Sequence, residues 1–227
     1  MKTGILVDLV EKLLSGPRPL PIVCAGDPVL RRPATSYEGQ LGAERLARLV
    51  EAMKESMRAA PGVGLAAPQV GIPLRLAVIE DPVELPPELR GTRPEMPVEV
   101  REVRGRVPLP FRVLVNPLYE SVGERRAAFF EGCLSVPGWQ AVVARHAHVR
   151  LRGEDEAGRS FDEEFSGWPA RIVQHETDHL DGTLYLDRAE LRSLATHEAV
   201  AEHWQQATPA DAALALGFPL PELRLDR

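Results

Sequence analysis

The run Gln174-His175-Glu176-Thr177-Asp178-His179-Leu180 places two histidines at i and i+4. On a helix that spacing turns both imidazoles to one side, where they can grip one divalent ion. Glu176 follows the first histidine directly, so it sits beside such an ion without having to ligate it, free to take a proton from water. The helix is expected from Trp168 to Leu180, because Pro169 falls in its first turn and Gly182 just past its end. Trp168 and Ile172 share a stripe with His175 and His179. The histidines therefore continue an apolar face and point inward, where imidazoles without partners would be costly.

Outward from that helix, Arg112 to Val115 and Ala127 to Phe130 have strand character. Ala141 to Arg152 alternates about Ala147, Val149 and Leu151 before a turn from Gly153 to Gly158. Further upstream, Gly62-Val63-Gly64-Leu65-Ala66-Ala67-Pro68-Gln69-Val70-Gly71 precedes a strand from Arg75 to Glu80. It is a poor phosphate cradle, because no Lys-Ser/Thr pair follows and the next element is not a helix. Two amphipathic helices are expected before it. One carries Ile5, Leu6, Leu9, Val10, Leu13 and Leu14, and the other runs from Gly42 to Ala60 with Leu46, Leu49, Val50, Met53 and Met57 on one face. A last helical stretch is expected from about Arg188 to Trp204, followed by a tail without assigned structure. The fold class is thus α+β, with antiparallel sheets packed around the HExxH helix and helices at both ends. Residues 1–20 are expected to form an amphipathic extension and 189–227 a helical extension and tail, around a catalytic domain at 21–188 whose bounds are those of the family resemblance given below. Seven prolines between Pro82 and Pro110 mark residues 82–110 as an exposed insertion.

Composition narrows the function. The chain has 227 residues, 44% of them apolar, enough for one sizeable core. A formal charge of −6 leaves no net positive field for a polyanion, so strong nucleic-acid binding is not expected. Asp8, Glu11 and Lys12 interrupt the apolar run of the amino terminus, which is not a secretion signal, and no apolar run is long enough to span a membrane. Two distant cysteines, Cys24 and Cys133, do not make a disulfide framework and fit a reduced cytoplasm.

Two histidines do not complete a catalytic metal site, which usually has three protein ligands. The residues leave several candidates for the third. Glu198 stands where one group of metalloproteases has a glutamate, and position 185, two turns on, offers only Tyr185. The remaining candidate lies in Glu131-Gly132-Cys133-Leu134-Ser135-Val136-Pro137-Gly138. A lone cysteine is more often a small buried apolar residue, the expectation for Cys24.

Taken together and in order, GVGLAAPQ at 62–69, EGCLS at 131–135 and QHETDHL at 174–180 closely resemble the peptide deformylase family, a resemblance that runs from Pro21 to about Arg188. It implies Cys133, His175 and His179 as ligands of one divalent metal ion. That ion would be Fe2+, with Zn2+, Ni2+ or Co2+ as ions that such donors accept. It implies hydrolysis of the N-formyl group from formyl-methionine at the start of new polypeptides, with Glu176 acting first as base and then as acid. The backbone N–H of Leu134 and the amide of Gln69 would face the developing oxyanion, and Glu131 and Arg145 would support the site. The N-formylmethionyl peptide would lie along Gly62 and Gly64 as an added strand, with its methionine side chain among Val63, Phe129, Trp168 and Ile172. After Arg188 the chain has three arginines against six acids, so docking on ribosomal RNA is not supported.

Overall fold

The computed structural model describes residues 3–60, 62–82 and 96–221. Residues 83–95 of the expected insertion, with three of its seven prolines, lie outside them, as does the end of the tail. Helix α1 (Thr3–Leu14) buries Leu6, Val10 and Leu14 in the same core as Leu46, Leu49, Val50, Met53 and Met57 of α2 (Gly42–Ala59). Every fourth residue of α1 thus meets one neighbour, which leaves Ile5 and Leu9 exposed.

Two antiparallel sheets follow. The first has five strands in the order β1-β2-β3-β6-β7: β1 (Gly64–Ala66), β2 (Leu76–Asp81), β3 (Leu109–Ser121), β6 (His148–Glu154) and β7 (Ser160–Ser166). The second has three, β4 (Arg126–Cys133), β5 (Val136–His146) and β8 (Ala189–Thr196), in the order β4-β5-β8. The single alternation seen from Ala141 to Arg152 is therefore two strands in different sheets, divided at Ala147. That residue's N–H donates to Arg125 O and its carbonyl accepts from Gly167 N, which ties both sheets to the start of the next helix.

That helix, α4 (Gly167–Leu180), carries the HExxH run between the two sheets. One face packs Ala170, Ile172, Val173 and Leu180 against Ile79, Leu114, Val149 and Leu151 of the larger sheet. Toward the smaller sheet, Gln174 takes the N–H of His146 on Oε1 at 3.1 Å and donates from Nε2 to the carbonyl of the same residue at 2.9 Å. The helix that carries the histidines is thus fixed from two sides.

Three expectations are corrected. Within the insertion, residues 98–103 form a short helix, α3 (Val98–Val103), and residues 104–106 after it are docked, while Val98, Val103 and Val107 are exposed. Arg106 makes paired hydrogen bonds to Asp81 at 2.7 and 2.8 Å, and Gly105 O accepts from Trp168 N at 3.2 Å. A Cβ on Gly167, whose φ is +62°, would lie 2.5 Å from Gly105 O, so this approach needs two glycines. The stretch after Arg188 begins as a strand, not a helix. Leu191 and Leu194, three apart, suggest a helical stripe, yet both face solvent, while Ser193 is buried and accepts from Val142 N at 2.7 Å. Only then does a helix begin, α5 (His197–His203), capped by Thr196, whose Oγ1 accepts from Ala199 N. The tail is also structured: α6 (Ala210–Leu216) and Phe218 pack on Phe130 and Val142. Among the described residues no helix is long and apolar enough to cross a membrane.

Candidate metal centre

Strand β4 delivers the first donor. Its pairing with β5 is regular through Glu131↔Ala141 and Gly132↔Gln140, then shifts so that Cys133 opposes Val136. Such irregularities re-aim a side chain, and here Cys133 Sγ comes to 3.3 Å from His179 Nε2. The donor atoms of Cys133, His175 and His179 all lie within 4.8 Å of one another. One thiolate and two imidazoles converging at that spacing fit a single divalent ion of the zinc, iron, cobalt or nickel type. Ser135 N–H and Gln69 Nε2 also point at the sulfur, at 3.4 and 3.6 Å. Glu198 stays exposed on α5 and is not part of the group. Tyr185 stacks on the His175 ring and donates to Trp139 O, so it too is outside the donor set.

Behind the donors lies a buried ionic lattice. His175 Nδ1 is 2.6 Å from Glu131 Oε1, which leaves Nε2 as the ligating nitrogen. Glu131 also accepts from Arg145, at 2.6 Å from Nη2 and 2.9 Å from Nε, and from Arg171 Nη1 at 2.7 Å. Burial works against the charge of Glu131, but the Arg145 guanidinium and His175 together outweigh it and hold the carboxyl well below the usual range. Arg145 reaches on to Asp178 at 2.7 Å, and Asp178 is further bound by Arg188 at 2.7 Å and by the Tyr119 hydroxyl at 3.2 Å. Burial, and then the Asp178 charge, push the Tyr119 hydroxyl up to about 12, so it stays a donor.

Glu176 is buried, with Oε2 lacking any protein partner. Burial raises its carboxyl to about 7. It lies directly over Gly64, where a Cβ would stand 2.1 Å from Oε1. Gln69 is buried in the turn after β1. Its Oε1 accepts from Ala66 N at 2.8 Å, which fixes the amide so that Nε2 faces Ser135 Oγ at 3.3 Å and the Cys133 sulfur. The amide caps a turn and points a donor into the site at once. Leu134 sits in the two-residue turn of the β4–β5 hairpin, beside Gly62.

A cleft of about 420 Å³ opens over these groups, with Val63, Gly64, Trp168, Ile172 and Leu134 on its walls. Phe129 lies elsewhere. It packs edge-on against Trp168, ring centroids 6.1 Å apart, and faces a neighbouring cavity, while Phe130 reaches the cleft. Cys24 is exposed rather than buried. The N–H groups on either side of it bind Gln69 O and Ser135 O, so the chain there is an extended tie between two loops, with the thiol outside.

Sequence reasoning passed over Arg171 and Asp178, one turn either side of His175. Charges on an otherwise inward helix face were the available signal, since buried charges must be paired. Arg104, Gln140 and His197 also line the cleft, but nothing local in the sequence brings them there.

The polypeptide deformylase family model matches residues 19–194. The chain is 68% identical over 217 residues to peptide deformylase 3 of Streptomyces avermitilis, covering 96% of this chain and 92% of that protein. Among solved structures it resembles a peptide deformylase from Synechococcus elongatus in complex with actinonin, at 32% identity and a TM-score of 0.60, covering 91% of this chain and 90% of that one. It also resembles a Met-Ala-Ser-bound peptide deformylase from Acinetobacter baumannii, at 32% identity and a TM-score of 0.61, covering 74% of this chain and 97% of that one.

Proposed function

The chain belongs to the peptide deformylase family, and from that premise we propose that Cys133, His175 and His179 hold the single divalent ion on which its removal of N-formyl groups depends. The convergence of those three donors beside the unpartnered carboxyl of Glu176 carries the reading. Ferrous iron is the ion we assign. When bound, a divalent ion supplies Lewis acidity, making water a stronger acid and a carbonyl a stronger electrophile.

The protein's own groups do the rest. Glu176 takes a proton as the oxygen of water bonds to the formyl carbon, and returns it to the amine nitrogen as the C–N bond breaks. A carboxyl near pH 7 in affinity serves both directions, and the products are formate and a free amino terminus. Gln69 Nε2 and the N–H of Leu134 would donate to the carbonyl oxygen as its charge grows, each contributing roughly 3 to 4 kcal/mol. Glu131, with Arg145, orients the His175 ring.

Among the described residues strand β1 pairs with β2 alone, so its other edge would take a peptide main chain. The methionine side chain would lie against Val63, Trp168 and Ile172. The Met-Ala-Ser tripeptide in the Acinetobacter relative is of the matching class. Residues 21–188 form the catalytic unit in this reading, with β8 completing its smaller sheet and α1 and the segment after β8 as extensions. Two free thiols, one of them exposed, suit a reducing compartment, which we take to be the cytoplasm.

The experiment is formate release from formyl-Met-Ala-Ser by anaerobically purified, ferrous-loaded protein. Stoichiometric formate is expected, and none would overturn the reading. Gly64→Ala tests the packing of the base. Its methyl group would displace the Glu176 carboxyl, so kcat should fall by about 100-fold or more with metal content unchanged. Full activity would show that Glu176 does not work from this position.

A further inference from the structure

We propose that the cavity behind the catalytic cleft, where Arg104, Arg125 and His146 converge, is a binding site for a small oxyanion. The cavity is about 380 Å³, and it shares Arg104 and Arg171 with the catalytic cleft. Among the described residues, no hydrogen bond or ion pair engages the side chain of Arg104 or Arg125. Arg104 Nε and His146 Nδ1 are both buried without a partner. The cavity is thus bordered by one guanidinium with a buried, unpartnered nitrogen and one exposed guanidinium without a carboxylate, while burial and then the charges of Arg126 and Arg188 lower the pKa of His146, so its neutral ring can donate or accept.

Arg104 is fixed in place by its rings and its neighbours. Its guanidinium carbon lies 5.5 Å from the Phe129 ring and 5.2 Å from the Trp168 ring. The Gly105–Trp168 hydrogen bond and the Arg106–Asp81 pair anchor the backbone on its C-terminal side. Burial, with the like charges of Arg106 and Arg171, lowers its pKa to about 10. An anion beside it would relieve that repulsion. Arg145 and Arg171 also border the cavity, but their donors are committed to Glu131, Asp178 and backbone carbonyls. They add field rather than contacts: with Arg188, three guanidinium groups stand against two carboxylates. The acid on the wall, Glu102, is exposed, and His148 is paired with Glu164.

Two sources could supply such an oxyanion. One is the formate that the reaction releases next door, an identification that rests on the function proposed above. The other is inorganic phosphate. Line broadening of 13C-formate and of 31P-phosphate, titrated separately against the zinc-loaded holoenzyme, distinguishes them and needs no turnover. Saturable broadening is expected for at least one anion, with affinity about tenfold or more weaker in both Arg104→Met and Arg125→Ala. Formate alone would make the cavity a product site, and phosphate alone a site for a cellular anion. Arg125 is exposed, so its variant keeps the test valid if Arg104→Met fails to fold. No saturable broadening of either anion, or broadening unchanged in Arg125→Ala, would overturn the proposal. Formate held only by the metal would give that second result, whatever the outcome of the formate-release assay.

Discussion

Glu176→Gln is expected to lower kcat for formate release by about 100- to 10,000-fold while the protein keeps one metal ion per chain. The substitution preserves the volume that fits against Gly64 and removes only the capacity to carry a proton. Glu176 is not among the three converging donors, so metal content should not move. Its Oε2 has no protein partner to lose, so stability should change little, and KM should stay within a few-fold. Steady-state kinetics with metal analysis on the same preparation measures all of this. A variant with near-normal kcat would remove Glu176 from the chemistry, and one that loses its metal would move it into the coordination shell.

Arg145→Met is expected to lower unfolding stability by about 3–5 kcal/mol, the usual result of removing one partner from a buried ionic network. Methionine fills much the same space but leaves Glu131 and Asp178 each short of an arginine. The effect should appear as a lower urea midpoint at an unchanged m-value. Arg112→Met supplies the contrast. Arg112 and Glu163 form an equally short pair on a more exposed surface, where about 1 kcal/mol or less is expected. Equal effects in the two variants would show that the lattice behind His175 is not energetically special. A weakened hold on the metal should accompany the loss in Arg145→Met, because Glu131 orients His175 through Nδ1.

The sequence made the catalytic helix readable because its evidence is local. The i and i+4 histidines, Pro169 and Gly182 all fall within one short segment, and α4 matches its expected ends to within a residue. The same holds for α1 and α2, whose stripes repeat over several turns. What was not readable depends on distant pairing. The break at Ala147 interrupts no alternation, yet it transfers the chain from one sheet to another. The leucines of β8 mimic a helical spacing, and only the hydrogen bond of Ser193 to β5 shows which face is buried. Spacing alone left Cys133 an ordinary buried cysteine and only the resemblance of EGCLS singled it out, while the register shift in β4 is what aims its sulfur; Cys24 needed two backbone ties to be placed outside. Arg104 was hidden most completely, since its rings come from β4 and α4 and its approach depends on the contact between Gly105 and Gly167.

The central claim is that a thiolate and two histidines hold the ion, and the absorption spectrum of the Co2+-loaded protein tests it most directly. One Co2+ per chain is expected, with a sulfur-to-metal charge-transfer band that disappears in Cys133→Ser and persists in Glu198→Ala. A Co2+ complex without that band, or one retained in Cys133→Ser and lost in Glu198→Ala, would contradict the account.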